Sequence, residues 1–153
     1  MLNLIRQAAV TNGPTVSYHY DGGGNKLRMN TGTPNTKYAG GFEYNQSNDL
    51  IRIAMEEGQI IVSGESYEFQ YYLRDHLGNT RMVLNETGTT IQETEYFPFG
   101  MPIPTGGTET ANKYLYNGKE KQPGTEYLDF GAWQYDGALG DGWELPSFGE
   151  KLL

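Results

Sequence analysis

Cysteine is absent from this sequence, which excludes disulfides, thiolate metal centres and a cysteine nucleophile. The compartment stays open, because exported proteins also occur without cysteine. Histidine and tryptophan are scarce, at 2 residues each. No stretch approaches the roughly 20 apolar residues a membrane helix requires. Met1 to Val10 holds a single Arg and no long apolar block, so it does not read as a signal peptide. An export signal is expected on another segment or on a partner. Positive charge is also short: 11 basic against 19 acidic residues leave a net charge of −8. Such a surface repels phosphate backbones and anionic headgroups, so neither nucleic-acid binding nor membrane insertion is expected. Apolar residues make up 37%, below the usual share of about 45–50%, and a large self-contained core is not expected.

Tyrosine and glycine are plentiful, with 12 Tyr and 21 Gly. Tyr suits a half-buried sheet, where its ring packs while its hydroxyl stays wet or bonded. Gly at about twice its average share favours tight turns. The dominant period is two. Thr15 to Tyr20 alternates, with Val16, Tyr18 and Tyr20 on one face, then turns at Asp21-Gly-Gly-Gly-Asn25 into Lys26 to Met29. A second unit runs through Lys37-Tyr38 and Phe42 to Tyr44, turns at Asn45 to Asp49 and resumes at Leu50 to Ile53. Gln59 to Ser63 pairs with Ser66 to Leu73 around Gly64-Glu65. The next tip is Asp75 to Asn79, returning through Thr80 to Asn85, and Glu86 to Gly88 turns into Thr89 to Tyr96. Strands each followed by a Gly, Asn or Asp turn mark successive antiparallel hairpins. The unit recurs loosely, at roughly twenty residues. Met55 to Glu57 is too short for a helix and ends at Gly58. Beyond Tyr96, Pro98, Pro102 and Pro104 argue against a central strand, so residues 97–111 read as a long surface loop. Lys113 to Tyr116 reads as one more strand closed by Asn117-Gly118. The tail from Leu128 is aromatic and Gly-rich without clear period, ordered by packing against the sheet.

These units carry a family resemblance. Tyr18-His-Tyr-Asp-Gly-Gly-Gly-Asn-Lys-Leu27 resembles a YD repeat, in which Tyr-x-Tyr-Asp leads to Gly-Asn, a basic residue and Leu. Tyr71-Tyr-Leu-Arg-Asp-His-Leu-Gly-Asn-Thr-Arg81 resembles the signature of the rearrangement-hotspot (RHS) repeat-associated core. Three more segments are similar to that core, in the family's order: Tyr96-Phe-Pro-Phe-Gly100, Tyr114-Leu-Tyr-Asn-Gly-Lys-Glu120, and Leu128-Asp-Phe-Gly-Ala132 with Tyr135-Asp136. The wording is closest to Bacteroidetes-type members. The resemblance implies a β-ribbon that spirals into a hollow shell, enclosing a variable toxin or forming part of a surface protein. Some family members cut themselves after the core. Here both Arg and the Pro of the usual closing segment are replaced in Ala132-Trp-Gln-Tyr-Asp-Gly-Ala-Leu-Gly-Asp-Gly-Trp143. Self-cleavage and toxicity are therefore not carried over, and a truncated or degenerate relative is expected.

Candidate chemistry is weak beside structural readings of the same residues. Asp75 and His76 are adjacent, but neighbouring strand residues face opposite ways and Asp in such a tip caps backbone amides. Glu93 and Glu95 share a strand face, yet an open wet face does not shift carboxylates as a glycosidase pair requires. Glu109 offers no better partner. Asp21-Gly-Gly-Gly-Asn25 lacks the helix and Lys-Ser/Thr of a phosphate loop. Asp129, Asp136 and Asp141 lack calcium-loop spacing. Trp133 and Trp143 suit tail packing with Tyr127, Phe130 and Tyr135 better than a sugar platform.

The expectation is thus an all-β fold: a curved antiparallel sheet of consecutive β-hairpins, a YD-repeat shell fragment, with a loop-rich C-terminal segment. The hairpin sheet would span 1–96 and the core-like segment 97–153. The function expected is a non-catalytic scaffold with no cofactor or metal. The alternative is a carbohydrate- or protein-binding module using its Tyr/Trp-rich sheet. Expected partners are the remaining shell, a toxin cargo, or a second copy at the sheet edges, and the site expected is secreted or at the cell surface. The residues expected to matter are structural. Tyr18, Tyr20, Tyr71 and Leu73 would pack, while Asp21, Gly24, Asn25, Asp75, His76, Gly78, Asn79, Asn117 and Gly118 would form turns. Arg81, Tyr96, Pro98, Gly100, Tyr116, Tyr135 and Asp136 belong to the core-like motifs.

Overall fold

The computed structural model describes residues 4–9, 13–32, 35–107, 112–131 and 133–143, with no α-helix among them. Eleven strands form one antiparallel sheet in sequence order, open at its two ends. They are β1 (Gln7–Ala9), β2 (Thr15–Tyr20), β3 (Lys26–Asn30), β4 (Asn35–Ala39), β5 (Phe42–Tyr44), β6 (Leu50–Met55), β7 (Gly58–Ser63), β8 (Ser66–Arg74), β9 (Thr80–Asn85), β10 (Thr90–Tyr96) and β11 (Pro102–Gly107). A four-stranded sheet follows, of β12 (Glu120–Lys121), β13 (Leu128–Asp129), β14 (Gln134–Asp136) and β15 (Asp141–Trp143).

The hairpins expected from the period of two are present, and one turn geometry recurs among them. Asp21, Asn45, Asp75, Asn85, Phe97 and Leu115 each donate their N–H to the carbonyl four residues on, at 2.9–3.1 Å. The fourth residue of each turn has positive φ, from +64° to +87°: Gly24, Asn48, Gly78, Gly88, Gly100 and Gly118. That backbone region excludes most side chains, which is why Gly or Asn recurs there. In the Asp21, Asn45, Asp75 and Asn85 turns the first side chain also accepts the N–H of the fifth residue.

Cross-strand partners share a face, so the register sorts the sheet's two sides. One side carries Tyr18, Met29 and Thr36, then Tyr38, Glu43 and Arg52, and further on Gln59, Gln70, Tyr72, Val83 and Gln92. Most of these are buried. A small apolar cluster of Ile5, Val16, Tyr18 and Met29 anchors its first strands, with Tyr20 packed against it. The other side carries Phe42, Ile53, Ile60 and Phe69 in one row. Here an expectation fails: Tyr71 and Leu73 do not pack, being 42% and 50% exposed, whereas Tyr72 between them is 8% exposed. Alternation defines two faces but does not say which one the rest of the chain will cover.

Two further expectations need correction. Of the loop expected over 97–111, residues 97–107 are not loop, because Phe97 to Met101 makes a tight turn and β11 pairs with β10 through Pro102 and Pro104; 108–111 lie outside the described residues. Proline is tolerated there because β11 is the last strand and needs donors on one side only. Lys113 to Tyr116 is not a strand: Tyr114 makes an isolated bridge to Glu120, and Tyr116–Gly118 is a 3-10 turn. The tail is also more regular than expected, forming β13, β14 and β15.

Candidate functional site: a charged seam between two sheets

The buried side of the large sheet is closed by residues 112–129, and the contact is largely polar. Lys26 Nζ on β3 donates to Glu120 Oε2 at 2.5 Å and to Asp129 Oδ2 at 2.6 Å. Lys113 Nζ pairs with Glu120 Oε1, and with Glu43 Oε2 on β5 at 2.8 Å. The charges thus alternate as Asp129, Lys26, Glu120, Lys113 and Glu43. Two phenols complete the seam: Tyr38 donates to Glu120 Oε1 at 2.7 Å and Tyr114 to Glu43 Oε1 at 2.5 Å. Both lysines lie over the Tyr38 ring, at 4.7 and 5.2 Å, and Arg52 lies over Tyr114 at 5.7 Å.

Burial opposes each of these charges, so the pairing must outweigh it. For Glu120 desolvation acts upward, but Lys113 and Lys26 more than offset it and hold the carboxyl at about 2. Desolvation likewise acts against the Lys26 ammonium, yet Glu120 and Asp129 carry its pKa above the ordinary lysine value. Burial, reinforced by the neighbouring carboxylates, pushes the Tyr38 and Tyr114 phenols well up.

Next along, Tyr72 on β8 donates to Asn112 Oδ1 at 2.9 Å, and the Asn112 N–H donates to Gln92 Oε1 on β10 at 2.8 Å. Asn112 and Lys113 are consecutive, yet together they reach β5, β8 and β10. In a flat sheet β5 and β10 would lie about 24 Å apart, so the large sheet curves around this segment.

The structure brings the core-like motifs together at one joint. Asn117 N–H donates to Asn79 Oδ1 at 2.9 Å. Tyr116 packs against Tyr96 at 5.8 Å and stacks on Tyr135 at 6.2 Å. A Cβ on Gly100 would come within 2.6 Å of the Tyr116 ring. Tyr135 also donates to the Phe99 carbonyl at 2.8 Å. Tyr96 donates to the Thr80 carbonyl, and Arg81 lies over the Tyr96 ring while pairing with Glu95.

The remaining motif residues sit in turns. Asp21 Oδ1 accepts from Gly23 and Asn25, and Asp75 Oδ1 from Leu77 and Asn79. The Asn25 bonds hold the Asp21 carboxyl below its usual range. Slight burial acts upward on Asp75, but the bonds from Asn79 and Leu77 prevail and lower it. His76, Pro98 and Asn117 are exposed, and Asp136 Oδ1 accepts from Ala138 and Leu139. Glu93 and Glu95 are exposed as well; Glu109 lies outside the described residues. No group able to hold a metal ion occurs among the described residues. Trp133 packs on Phe130 at 4.8 Å and lies against Gly142 while staying 39% exposed; the Trp143 side chain lies outside the described residues.

The charged seam itself was not anticipated. Its one sequence signal is charge at an inward position of an alternating strand, as with Glu43 between Phe42 and Tyr44.

No family model matches the sequence, and no curated protein is significantly similar to it. Solved structures do resemble it. A TcdB2-TccC3-Cdc42 crystal structure gives a TM-score of 0.67 at 20% identity, over 83% of this chain and 7% of that chain. TcdB2-TccC3 without its hypervariable C-terminal region gives 0.65 at 17% identity, over 90% of this chain and 8% of that one. A structure of the Photorhabdus luminescens Tc holotoxin pore gives 0.62 at 18% identity, over 96% of this chain and 8% of that one. The chain therefore spans under a tenth of the length of those it matches. At these identities the likeness is one of fold, and the fold shared is a piece of a much larger Tc toxin chain.

Proposed function

We propose that this chain is a non-catalytic structural piece of an RHS/YD-repeat shell, associated with a secreted bacterial toxin or surface protein. The observation that supports it most is the convergence of the motifs. Asn79, Gly100, Tyr116 and Tyr135 come from separate core-like segments and meet at one joint. Lys26, the basic residue of the YD-like repeat, ties β3 to Glu120 and Asp129, in the same two segments that carry Tyr116 and Tyr135. Residues spent on joints and turns are what a wall requires, and the likeness to Tc toxin chains agrees with that role. The partners are the rest of the shell and its cargo.

The test is made on the source organism. An antibody to this chain should detect it in the medium or at the cell surface, within a longer polypeptide that resists protease as a closed shell does. Detection only as a short, protease-sensitive cytosolic species would overturn the reading.

A protein-binding role has one observation in its favour, the exposed row of Phe42, Tyr67, Phe69, Tyr71 and Leu73 on the uncovered face. If this face binds a partner, Phe69→Ser should abolish capture without lowering the melting temperature. Unaltered capture would count against it.

A further inference from the structure

We infer that Lys26 and Asp129 form an intramolecular isopeptide bond, with Glu120 as the proton-transferring carboxylate, joining β3 of the large sheet to β13 of the small one.

Such a bond needs an amine, a carboxyl carbon within reach, a carboxylate to move protons, and shelter from water. Lys26 Nζ lies 2.6 Å from Asp129 Oδ2 and 2.5 Å from Glu120 Oε2. The side chains are 13%, 9% and 6% exposed, for Lys26, Asp129 and Glu120 in turn. Glu120 and Asp129 are direct cross-strand partners, a like-charged placement that is unfavourable unless a cation sits between them. The two carboxylates are not equivalent. Glu120 Oε1 is held by Tyr38 and Lys113, which keeps this carboxyl from acting as the electrophile and leaves Oε2 to exchange a proton with Lys26. Asp129 Oδ1 accepts the Gly131 N–H at 2.7 Å while Oδ2 faces Lys26. A backbone donor on the oxygen that does not leave is what an acyl-transfer intermediate requires.

The step balances within the three side chains. Glu120 relays one proton from the Lys26 ammonium to Asp129 Oδ2, and the freed Nζ lone pair attacks Cγ of the resulting carboxylic acid. The Gly131 N–H steadies the charge that gathers on Oδ1. A second proton leaves nitrogen, and the two protons depart with Oδ2 as one water. Lys26 and Asp129 become a neutral amide, and Glu120 ends as it began. Condensation leaves a neutral amide where an ammonium and a carboxylate were buried, but the ion pairing that holds both groups charged opposes the first proton transfer. The ion-paired form is the resting state, so the bond matures slowly after folding and forms once per chain. In a sequence without cysteine, it would close a loop between residues 103 positions apart, as a disulfide would.

The test is the intact mass of the purified full chain, denatured after days at neutral pH. A species lighter by one water should accumulate, and peptide mapping should yield a branched peptide joining Lys26 to Asp129. Lys26→Arg keeps the charge and should abolish the branch. Glu120→Gln should slow its formation by about a hundredfold, the general-base contribution. Asp129→Asn should lose ammonia instead of water and reach the same final mass. Folded wild-type chain that stays wholly at its sequence mass would overturn the inference. So would a water loss that persists in Lys26→Arg and maps to Asp21-Gly22, Asp136-Gly137 or Asp141-Gly142, where a succinimide gives the same mass.

Discussion

Glu120 accepts from Lys26, Lys113 and Tyr38 at once, so its removal should be felt across the seam. Glu120→Ala is expected to cost about 3 kcal/mol, the lower end for a broken buried pair, because each lysine keeps a second carboxylate. Urea unfolding measures it. The same group sets an acid limit. Its folded pKa of about 2 lies below the ordinary glutamate value of 4.5, so its contribution is present above pH 4.5 and fades as pH falls toward 2. Before any cross-link matures, that loss should reach about 3 kcal/mol, and Glu120→Gln should flatten the acid limb. The raised Tyr38 and Tyr114 act at the other end. Their contribution is intact below the unfolded tyrosine pKa and declines above about pH 10. Glycine substitutions should separate backbone from packing effects. Gly78 and Gly100 both have positive φ, +83° and +86°, but a Cβ on Gly78 meets nothing within 4 Å. Gly78→Ala should therefore cost about 1–2 kcal/mol, and Gly100→Ala clearly more. Equal melting shifts for the two would contradict the Tyr116 contact.

The recurring five-residue turn can be tested as a unit. Asp75→Ala removes an acceptor of two backbone N–H groups and of the Asn79 amide, and should cost about 1–2 kcal/mol. The Phe97 turn has the same backbone frame with an exposed phenylalanine in the capping position. Phe97→Asp should add the missing acceptor and stabilise by about 0.5–1 kcal/mol, read as a higher denaturation midpoint. These turns were legible in advance, because a positive φ at the fourth position leaves its mark as Gly or Asn. β11 was not. Its prolines signal a break in any interior strand, and its place at the sheet's edge, where they are tolerated, emerges only once the sheet is assembled. Lys113 to Tyr116 reads as a strand because Tyr-Leu-Tyr alternates, whereas the backbone already turns at Tyr116 and brings its ring under Gly100; the turn at Asn117-Gly118 is present.

For the molecule as a whole, residues 112–129 serve as the cover of the large sheet. Ending the chain at Gly107 would strip Lys26 and Glu43 of their partners and uncover Val16, which lies against Gly124, and Tyr72, which bonds Asn112. Such a truncation should lose its cooperative thermal transition and near-ultraviolet tyrosine signal. A sharp transition in the truncated chain would show that the large sheet stands alone. Strand order, hairpin positions and the turn geometry were open to reading from the chain, since a period of two and glycine's backbone freedom act over a few residues. Which face became the interior was legible on β2, where Val16 and Tyr18 are buried as expected, but not on β8, where Tyr71 and Leu73 are exposed. Alternation is symmetric between the faces, and the more apolar one, with Phe42, Ile53, Ile60 and Phe69, is the one left uncovered. The choice falls to partners far along the chain: Lys26 and Glu120 are 94 positions apart, and their pairing exists only where the sheet has curved enough to bring them together.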